Sequence, residues 1–422
     1  MTLELSYHDQ QRNAKGLTGG TDIIHKESIR GSKLLGVSDE RAETPNESML
    51  HYLHESESAS FIQFAEPIRH PTGGNRLKST EYTFLKACWC KPTDYVPVWL
   101  MRQAGRYLKQ YRDVRAQGGG TFLDLCKDPA RAAEVTIQPI DILNADAAIL
   151  FSDILTPIEP MGMALDFMPG PVFEKPIRTA ADVDALIVPE DMAQAVSYVP
   201  AISKRLRAVF EGRVPLIGFG GAPFTLACYM VEGKGSKNFA ELKKMMYGDF
   251  KLYDALMQKV TEMDRRYLNM QIEAGVQAIQ IFDTWGGLLA PHDFERCILP
   301  YVKQLIGGLD RKDIPIIYFC KGGGGMLELV KEAGADVLGL DWHVNLGKAR
   351  DILGPDIAVQ GNLDPTVLYA SKDYIEHEVQ RILDENVGRP GFIFNLGHGI
   401  LPTVPPENAI HMVECVHRLS RN

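Results

Sequence analysis

From residue 81 onwards, short apolar runs alternate with amphipathic stretches. Apolar runs of about four to eight residues bounded by turn formers are typical of buried strands, and apolar spacings of three and four predict helices. The predicted strands are "VPVWLM" (96–101), "DAAILF" (146–151), "VPLIGF" (214–219), "VQAIQIF" (276–282), "IPIIYF" (314–319), "ADVLGL" (335–340), "DIAVQG" (356–361) and "GFIFN" (391–395). Nearly continuous apolar strands that alternate with helices predict an α/β fold, a parallel (β/α)8 barrel, with a doubly wound sheet as the alternative.

Polar, charged and glycine-rich sequence follows each predicted strand. In chain order these segments are "RQAGR", "SDILTP", "GGAPFT", "DTWGG", "CKGGGG", "DWH", "NLDP" and "LGHGILP". Glycine, aspartate and proline end strands in any fold, but ordinary turns do not require arginine, histidine and aspartate at successive strand ends. The C-terminal ends of barrel strands carry the active site in this architecture, so we expect these segments to form it.

Two arginines follow the first predicted strand at once. Arg102 and Arg106 lie four residues apart in "VWLMRQAGRY", so they share one face if a helical turn begins here. Arginine stays charged and offers a planar fork of donors that matches carboxylate or phosphate. A solvated basic helix face explains Arg112 and Arg115 well, but it explains Arg102 poorly because Arg102 directly follows a strand that should be buried. We therefore predict an anion clamp.

Four other strand ends supply single candidate groups. Asp153 could stabilise a developing cation, or it could simply cap a helix. Tyr229 and Thr284 each supply a hydroxyl, a group that orients ligands more often than it reacts. His398 lies between glycines that permit close approach of a ligand, and it could act as an anion donor or a general acid.

Composition narrows the classes of function. The net charge of -9 argues against a general nucleic-acid binder, so an anionic ligand must be held by local positive charge. No apolar run approaches the roughly 18 residues of a membrane-spanning helix. Seven irregularly spaced cysteines, including a C-x-C pair at Cys88 and Cys90, are not a disulfide framework and indicate a reducing, cytoplasmic compartment.

Several cofactor motifs are absent from the sequence. There is no Walker P-loop, no G-x-G-x-x-G after a strand and no H-E-x-x-H. The run "KGGGG" (321–325) lacks the Lys-Ser/Thr of nucleotide-binding loops, although its backbone could still meet an anion. We therefore expect no nucleotide cofactor and no fixed metal.

Residues 1–80 differ from the rest of the chain. They contain polar runs such as "GLTGGTD" and "SDERAETPNES", with acidic and basic residues mixed. Neither the apolar stretch of a secretory signal nor the acid-poor composition of a transit peptide is present. We expect two parts: an N-terminal extension over 1–80, largely disordered, and a barrel over 81–422.

Several blocks closely resemble the uroporphyrinogen decarboxylase family. "PVWLMRQAGRYLKQYR" and "IGFGGAPFTLACYMVEG" resemble its two signature regions, and "AAILFSDIL", "IFDTWGG", "GNLDP" and "FNLGHGILPTVPPENA" resemble further blocks in the family's order. The resemblance covers roughly residues 81–420 and is highly specific. It implies a (β/α)8 barrel that decarboxylates the four acetates of uroporphyrinogen III to give coproporphyrinogen III without a cofactor, typically as a homodimer.

The resemblance also implies roles for individual residues. Asp153 resembles the family aspartate that binds the pyrrole N–H groups, and Arg102 resembles the arginine beside the reacting acetate. Arg106 and Arg115 resemble further carboxylate binders. Gln103, Tyr229, Thr284 and His398 fall on other substrate-binding positions. Two departures are "YLKQYR" for the usual "YLPEYR" and threonine at 284 where many members have serine, and the extension has no counterpart in the family.

Two alternatives stay open at this point. A related branch of methyltransferases binds zinc through a His-x-Cys pair, but Tyr318 stands in place of that histidine beside Cys320. The intact "RQAGR" block also favours the decarboxylase. The second alternative is a non-catalytic tetrapyrrole-binding protein, although decay should have removed polar pocket residues and none of those expected is missing.

Overall fold

The structure is a computed structural model that describes residues 81–117, 120–167, 170–311 and 313–421. The predicted extension over 1–80 lies outside the described residues. Within the described part, the strands are β1 (Ala148–Ile149), β2 (Leu165–Phe167), β3 (Pro171–Phe173), β4 (Leu216–Gly221), β5 (Ala278–Asp283), β6 (Ile316–Cys320), β7 (Val337–Gly339), β8 (Ala358–Leu363) and β9 (Phe392–Leu396).

Seven of these strands form a parallel sheet in the order β1-β4-β5-β6-β7-β8-β9. The segment around Val98 closes the sheet, because Val98 forms a parallel bridge with Phe394 of β9 and its carbonyl accepts a 2.8 Å hydrogen bond from Asp146 N–H, just before β1. Seven predicted strands therefore form the sheet in chain order, the first contributes the bridge at Val98, and the (β/α)8 prediction is confirmed. A doubly wound sheet would leave two free edges.

Helices cover the outside of the barrel. They are α1 (Thr83–Cys88), α2 (Lys109–Gln117), α3 (Phe122–Lys127), α4 (Pro129–Leu143), α5 (Ala180–Ala185), α6 (Met192–Ala195), α7 (Tyr198–Phe210), α8 (Pro223–Glu232), α9 (Ala240–Gly248), α10 (Phe250–Glu273), α11 (Pro291–Cys297), α12 (Leu299–Gly307), α13 (Leu327–Lys331), α14 (Leu346–Leu353), α15 (Lys372–Asn386) and α16 (Pro406–Leu419). Short 3-10 helices span Thr156–Met161, Gly286–Leu288, Gly323–Met326 and Pro365–Tyr369. No helix of the described residues is long and apolar enough to cross a membrane.

Residues 238–275, whose apolar spacing is amphipathic throughout, form two helices, α9 and α10. The break falls at Asp249, whose side chain accepts a 3.0 Å hydrogen bond from Leu252 N–H and so caps α10. Aspartate is a strong N-cap because its oxygen satisfies a backbone donor that the helix leaves unpaired. Amphipathic spacing continues across the cap, which is why the pattern alone did not show it.

A polar chain crosses the barrel interior beneath the mouth. Trp99 Nε1 donates to Gln360 Oε1 at 2.8 Å, and Gln360 Nε2 donates to Gln280 Oε1 at 3.0 Å. All three side chains are fully buried. The chain links the first, fourth and seventh barrel positions, and its satisfied hydrogen bonds hold them in one arrangement.

The second barrel strand is short, which frees its continuation to reach the mouth. β1 pairs with β4 at only two positions, Ala148 and Ile149. Farther along β4, the Gln271 side-chain amide makes the hydrogen bonds that a longer β1 would make. Its Oε1 accepts from Phe219 N–H at 2.9 Å, and its Nε2 donates to Phe219 O at 2.8 Å. The strand edge is therefore satisfied while the chain after residue 149 turns toward the site.

Candidate active site

Arg102 lies in a tight turn at the end of the first barrel strand. Leu100 O accepts from Gln103 N–H at 2.9 Å, and Arg102, the third residue of this turn, has a φ of 64°. A left-handed conformation costs a non-glycine residue of order 1 kcal/mol or more, and such residues concentrate at functional sites. Asn395 of β9 helps to hold the turn, because its Oδ1 accepts a 3.0 Å bond from Met101 N–H. The arginine side chain is exposed and directed away from the core.

Gln103 points the other way. Its side chain is 1% exposed, its Oε1 accepts from Leu100 N–H at 3.2 Å and its Nε2 donates to Ala147 O at 3.1 Å. Both ends of the amide are therefore engaged with backbone. The residue ties the Arg102 turn to the second barrel strand and lies behind the mouth.

Arg106 and Arg115 extend the positive charge away from the barrel axis. No helical turn joins Arg102 to Arg106, because α2 begins only at Lys109. Arg106 is exposed, and Arg115 lies in the last turn of α2 with its guanidinium 5.6 Å from the Phe122 ring centroid. Neither has a carboxylate within 4.0 Å among the described residues, and Arg115 Nη1 is buried without a hydrogen-bond partner there. Such an orphaned charged group is suited to an anionic ligand.

Asp153 follows β1 and is partly exposed at the mouth. Its Oδ1 accepts a 2.9 Å bond from Leu155 N–H, next to the 3-10 helix at Thr156–Met161. Its Oδ2 has no donor in the described part of the chain. Burial raises the pKa of Asp153, while the Leu155 N–H and the positive charge of Arg102 oppose the rise. One oxygen therefore organises the turn before the 3-10 helix, whose N-cap is Leu155, and the other oxygen is free of donors among the described residues. Stabilisation of a developing cation by Asp153 stays a prediction.

A row of phenylalanines lies along the ends of three neighbouring strands. The rings of Phe219 and Phe282 are 5.9 Å apart, those of Phe282 and Phe319 are 6.4 Å apart, and Phe319 lies 6.2 Å from the His398 ring. The sequence analysis missed these residues, although three successive predicted strands end in phenylalanine. Phe219 is 6% and Phe319 1% exposed, so Phe282, which is partly exposed, is the member of the row that can offer apolar surface to a ligand.

Tyr229 and Thr284 lie beside this row on the third and fourth barrel positions. Tyr229, near the end of α8, is partly buried, its ring lies 6.1 Å from that of Trp285, and burial raises its pKa. Thr284 directly follows β5, and its hydroxyl has no hydrogen-bond partner within the described ranges. Both are available to orient a ligand.

His398 lies between Arg102 and the phenylalanine row. A Cβ at Gly399 would overlap Arg102 Cδ, so glycine is required for the arginine to lie across this loop. Burial and, to a smaller extent, the positive charges of Arg102 and Lys321 together lower the pKa of His398 to about 4, while Asp341 opposes the shift. The imidazole is therefore neutral near pH 7, which suits it to donate one N–H and argues against an imidazolium acid.

The site predicted from sequence is thus largely assembled at one end of the barrel. Arg102 lies within electrostatic reach of Asp153, Tyr229 and His398, since its charge affects the pKa of all three. Thr284 is next to Trp285 in the chain. Arg106 and Arg115 lie on the same side of the mouth as Arg102. Of the predicted site residues, Gln103 alone is turned inward. Lys321, which the sequence analysis considered only as part of a glycine-rich loop, also reaches the site.

The residues at the position where a zinc-binding relative holds its metal are hydrogen-bonded to one another. Tyr318 donates to Asp283 Oδ2 at 2.7 Å, Thr225 donates to Asp283 Oδ1 at 2.6 Å, and Cys320 is buried beside them. Cys320 belongs to no group of three possible ligands in the part that the structure describes. The tyrosine and threonine hydroxyls already satisfy both oxygens of the carboxylate.

A possible ligand group does occur between α15 and α16, where ligand atoms of Glu376, His411 and Cys415 lie within 4.8 Å of one another. However, Arg418 Nη2 contacts Glu376 Oε2 at 2.7 Å and Cys415 Sγ at 3.6 Å. A permanent cation among the ligands opposes a second cation at the same place. These contacts form an ion pair on the outer helices.

Comparison with known proteins gives a consistent result. Residues 79–419 match the family model described as "Uroporphyrinogen decarboxylase". Proteins named uroporphyrinogen decarboxylase from Geobacter sp. (strain M21) and Geobacter sulfurreducens are 71% and 70% identical over 338 residues, which is 80% of this chain and 98% of each relative. A solved methyltransferase from Methanosarcina mazei is similar with a TM-score of 0.69 at 20% identity, covering 80% of this chain and 98% of that one. At that identity it supports the fold alone.

The electrostatics of His398 can be tested directly. Since Arg102 disfavours the imidazolium, Arg102→Gln should raise the pKa of His398 above its value of about 4, while burial still holds it below 6.5. NMR titration of histidine-labelled protein, assigned with His398→Gln, measures this. Arg213→Gln, which removes an arginine paired with Asp141, should leave the titration unchanged. Wild-type titration near 6.5 would contradict a buried, cation-flanked imidazole.

Proposed function

The chain belongs to the uroporphyrinogen decarboxylase family, and on that premise we propose that it converts the four acetate side chains of uroporphyrinogen III to methyl groups, yielding coproporphyrinogen III, in tetrapyrrole biosynthesis. One observation carries the proposal: the partly desolvated Asp153 carboxylate, with a free oxygen, faces a mouth whose arginines have no carboxylate partner among the described residues. That arrangement suits a ligand with N–H donors at its centre and carboxylates at its edge.

The substrate class explains the charge pattern. Uroporphyrinogen carries eight carboxylates around a flexible macrocycle, so it requires a positive mouth even on a protein with a net charge of -9. Arg102, Arg106 and Arg115 bind these carboxylates, and Phe282, backed by the buried rings of Phe219 and Phe319, packs against the apolar parts of the macrocycle. The carboxylates and the apolar surface of the macrocycle each have a counterpart in the site. Binding of a small mineral anion would account for the arginines but not for the phenylalanines.

Decarboxylation here needs an electron sink, and the pyrrole itself provides one. Protonation of a ring carbon next to the acetate-bearing carbon makes an iminium-like cation. The bond to the carboxylate then breaks, carbon dioxide leaves, and the electron pair forms an exocyclic C=C bond that neutralises the cation. Protonation of the exocyclic carbon and loss of the ring proton give the methyl group, so each acetate consumes one proton overall. No cofactor enters this sequence.

Asp153 stabilises the cation as it develops. Its free Oδ2 accepts hydrogen bonds from the pyrrole N–H groups, and its negative charge becomes more favourable when the ring becomes positive. Arg102 orients the reacting carboxylate. A guanidinium gives up its proton reluctantly, so proton delivery through water is favoured over direct transfer from Arg102.

The remaining groups position the macrocycle. His398, neutral at pH 7, donates one N–H to a substrate oxygen beside Arg102, and the hydroxyls of Tyr229 and Thr284 do the same on the opposite flank. Gln103 supports the Arg102 turn from behind, since its amide is engaged with Leu100 and Ala147.

Asp153→Asn should abolish most turnover while the fold survives. The amide cannot supply the negative charge, and removal of one preorganised electrostatic group typically costs about 100-fold or more in rate. The measurement is an anaerobic assay with uroporphyrinogen III, with the carboxyl number of the products followed by chromatography. Asp351→Asn, at a carboxylate whose side chain is 68% exposed, is the matched control and should behave like the wild type. Near-normal turnover by folded Asp153→Asn would contradict the proposed electrostatic role of Asp153.

We further propose that residues 81–422 are the catalytic unit and that 1–80 are dispensable for chemistry. The relatives' matched 338 residues make up 98% of their length, so activity in this family has no need of a counterpart to the extension. A chain lacking 1–80 should therefore decarboxylate uroporphyrinogen III with unchanged kcat and KM. A folded but inactive truncation would show that the extension takes part.

We also infer a cytoplasmic homodimer. The family resemblance supports the dimer, and the lack of any disulfide among the seven cysteines supports a reducing compartment. Sedimentation equilibrium should give a mass near twice 47.0 kDa. A monomer that remains fully active would overturn the inferred dimer.

A further inference from the structure

Lys321 is held firmly at the C-terminal end of the fifth barrel strand. It directly follows β6, its N–H donates to Asp283 O at 3.1 Å, and its carbonyl accepts from Gly287 N–H at 3.1 Å. A Cβ at Gly287 would overlap the Lys321 backbone, so glycine is required for this approach. The root of the lysine side chain is therefore fixed by two neighbouring segments of the mouth.

The charged end of this lysine has no acidic partner. Lys321 is partly buried, and no carboxylate of the described ranges lies within 4.0 Å of its Nζ. Lys321 Nζ lies 6.0 Å from the centroid of the Trp285 ring. By contrast, Lys303 and Lys127 each form a carboxylate contact at 2.7 Å. A lysine that is partly desolvated and unpaired at a mouth has free donors to offer to an anion.

The first amide of the adjoining glycine run is engaged within the protein. Gly322 N–H already donates to the Asp341 carboxylate, and Gly323–Met326 forms a single short 3-10 turn. The lysine side chain therefore adds a donor of positive charge beside a loop whose first glycine N–H is already used.

The topology places this charge across the mouth from the arginines. Arg102, Arg106 and Arg115 all come from the segment that follows the first barrel position, whereas Lys321 follows the fifth. In a closed barrel of eight strands, the first and fifth positions lie opposite each other. His398 lies within electrostatic reach of both sides, because the charges of Arg102 and Lys321 both lower its pKa.

We propose that Lys321 binds a peripheral carboxylate of the tetrapyrrole on the side of the mouth opposite to Arg102, and that it helps to keep the macrocycle in register during successive decarboxylations. The inference rests on the proposed function. A macrocycle centred on Asp153 carries carboxylates around its whole edge, so the three arginines reach only one side of it. Lys321 supplies the positive charge for the other side.

Two substitutions test this proposal. Lys321→Met keeps the length of the side chain but removes its charge, and it should raise KM for uroporphyrinogen III about 10-fold with a smaller change in kcat. Partly decarboxylated products should also accumulate, because an incompletely anchored macrocycle escapes between steps. Lys321→Arg should restore most of the affinity. Lys303→Met, at an exposed ion pair with Glu332, should match the wild type in every respect.

A second measurement separates this proposal from the proposed function. Binding of uroporphyrin, a stable octacarboxylate, can be followed by quenching of its fluorescence whether or not the protein turns over uroporphyrinogen. Weaker binding by Lys321→Met, rescued by Lys321→Arg and with an unchanged melting temperature, supports the carboxylate contact. Unchanged binding and unchanged KM in Lys321→Met would overturn it even if the wild type decarboxylates. If the wild type does not decarboxylate, the proposed function fails, and the binding result still decides the role of Lys321.

Discussion

Closure of the parallel barrel at Val98 is the constraint on which the site depends. The bridge between Val98 and Phe394, with the bond from Asp146 N–H to Val98 O, makes the first and last strands neighbours. Only for that reason can Asn395 hold the Arg102 turn through Met101 N–H, and only for that reason does Arg102 lie across Gly399 beside His398. Residues almost three hundred positions apart in sequence form one structural unit because a few backbone hydrogen bonds close the sheet.

The closed barrel then allows charge to be concentrated without being neutralised. Some arginines and lysines on the outer surface contact carboxylates, as Arg213 contacts Asp141, and such exposed pairs contribute little to stability. The mouth differs, because Arg102, Arg115 and Lys321 have no carboxylate within 4.0 Å in the described part of the chain. Their mutual repulsion is tolerated because a rigid framework fixes each backbone: the Asn395 bond, helix α2 and the contact with Gly287. The framework thereby keeps open places that a polycarboxylate can fill.

The sequence predicted those features that depend on local pattern. Apolar runs located the barrel strands, and the types of residue at their ends located Arg102, Asp153 and His398. Features that depend on distant partners could not be predicted in this way. The left-handed turn at Arg102 depends on Asn395, and the inward direction of Gln103 depends on the Ala147 carbonyl. The break before α10 was visible only as an aspartate within an unbroken amphipathic pattern. The role of Lys321 could not be predicted from its neighbours, because a run of glycines indicates a loop whose backbone, not whose side chains, meets a ligand.

The pKa of Asp153 connects this framework to catalysis. Desolvation makes its carboxylate less stable than in water, and Arg102 lies close enough to offset part of that cost without forming an ion pair. A fully paired carboxylate would gain little when a cation forms nearby, since its charge would already be satisfied. A carboxylate that is poorly solvated and only partly compensated gains much more, and that gain is realised as the pyrrole becomes positive. The catalytic role proposed for Asp153 therefore rests on its separation from Arg102, which is held by strands that meet only because the barrel closes.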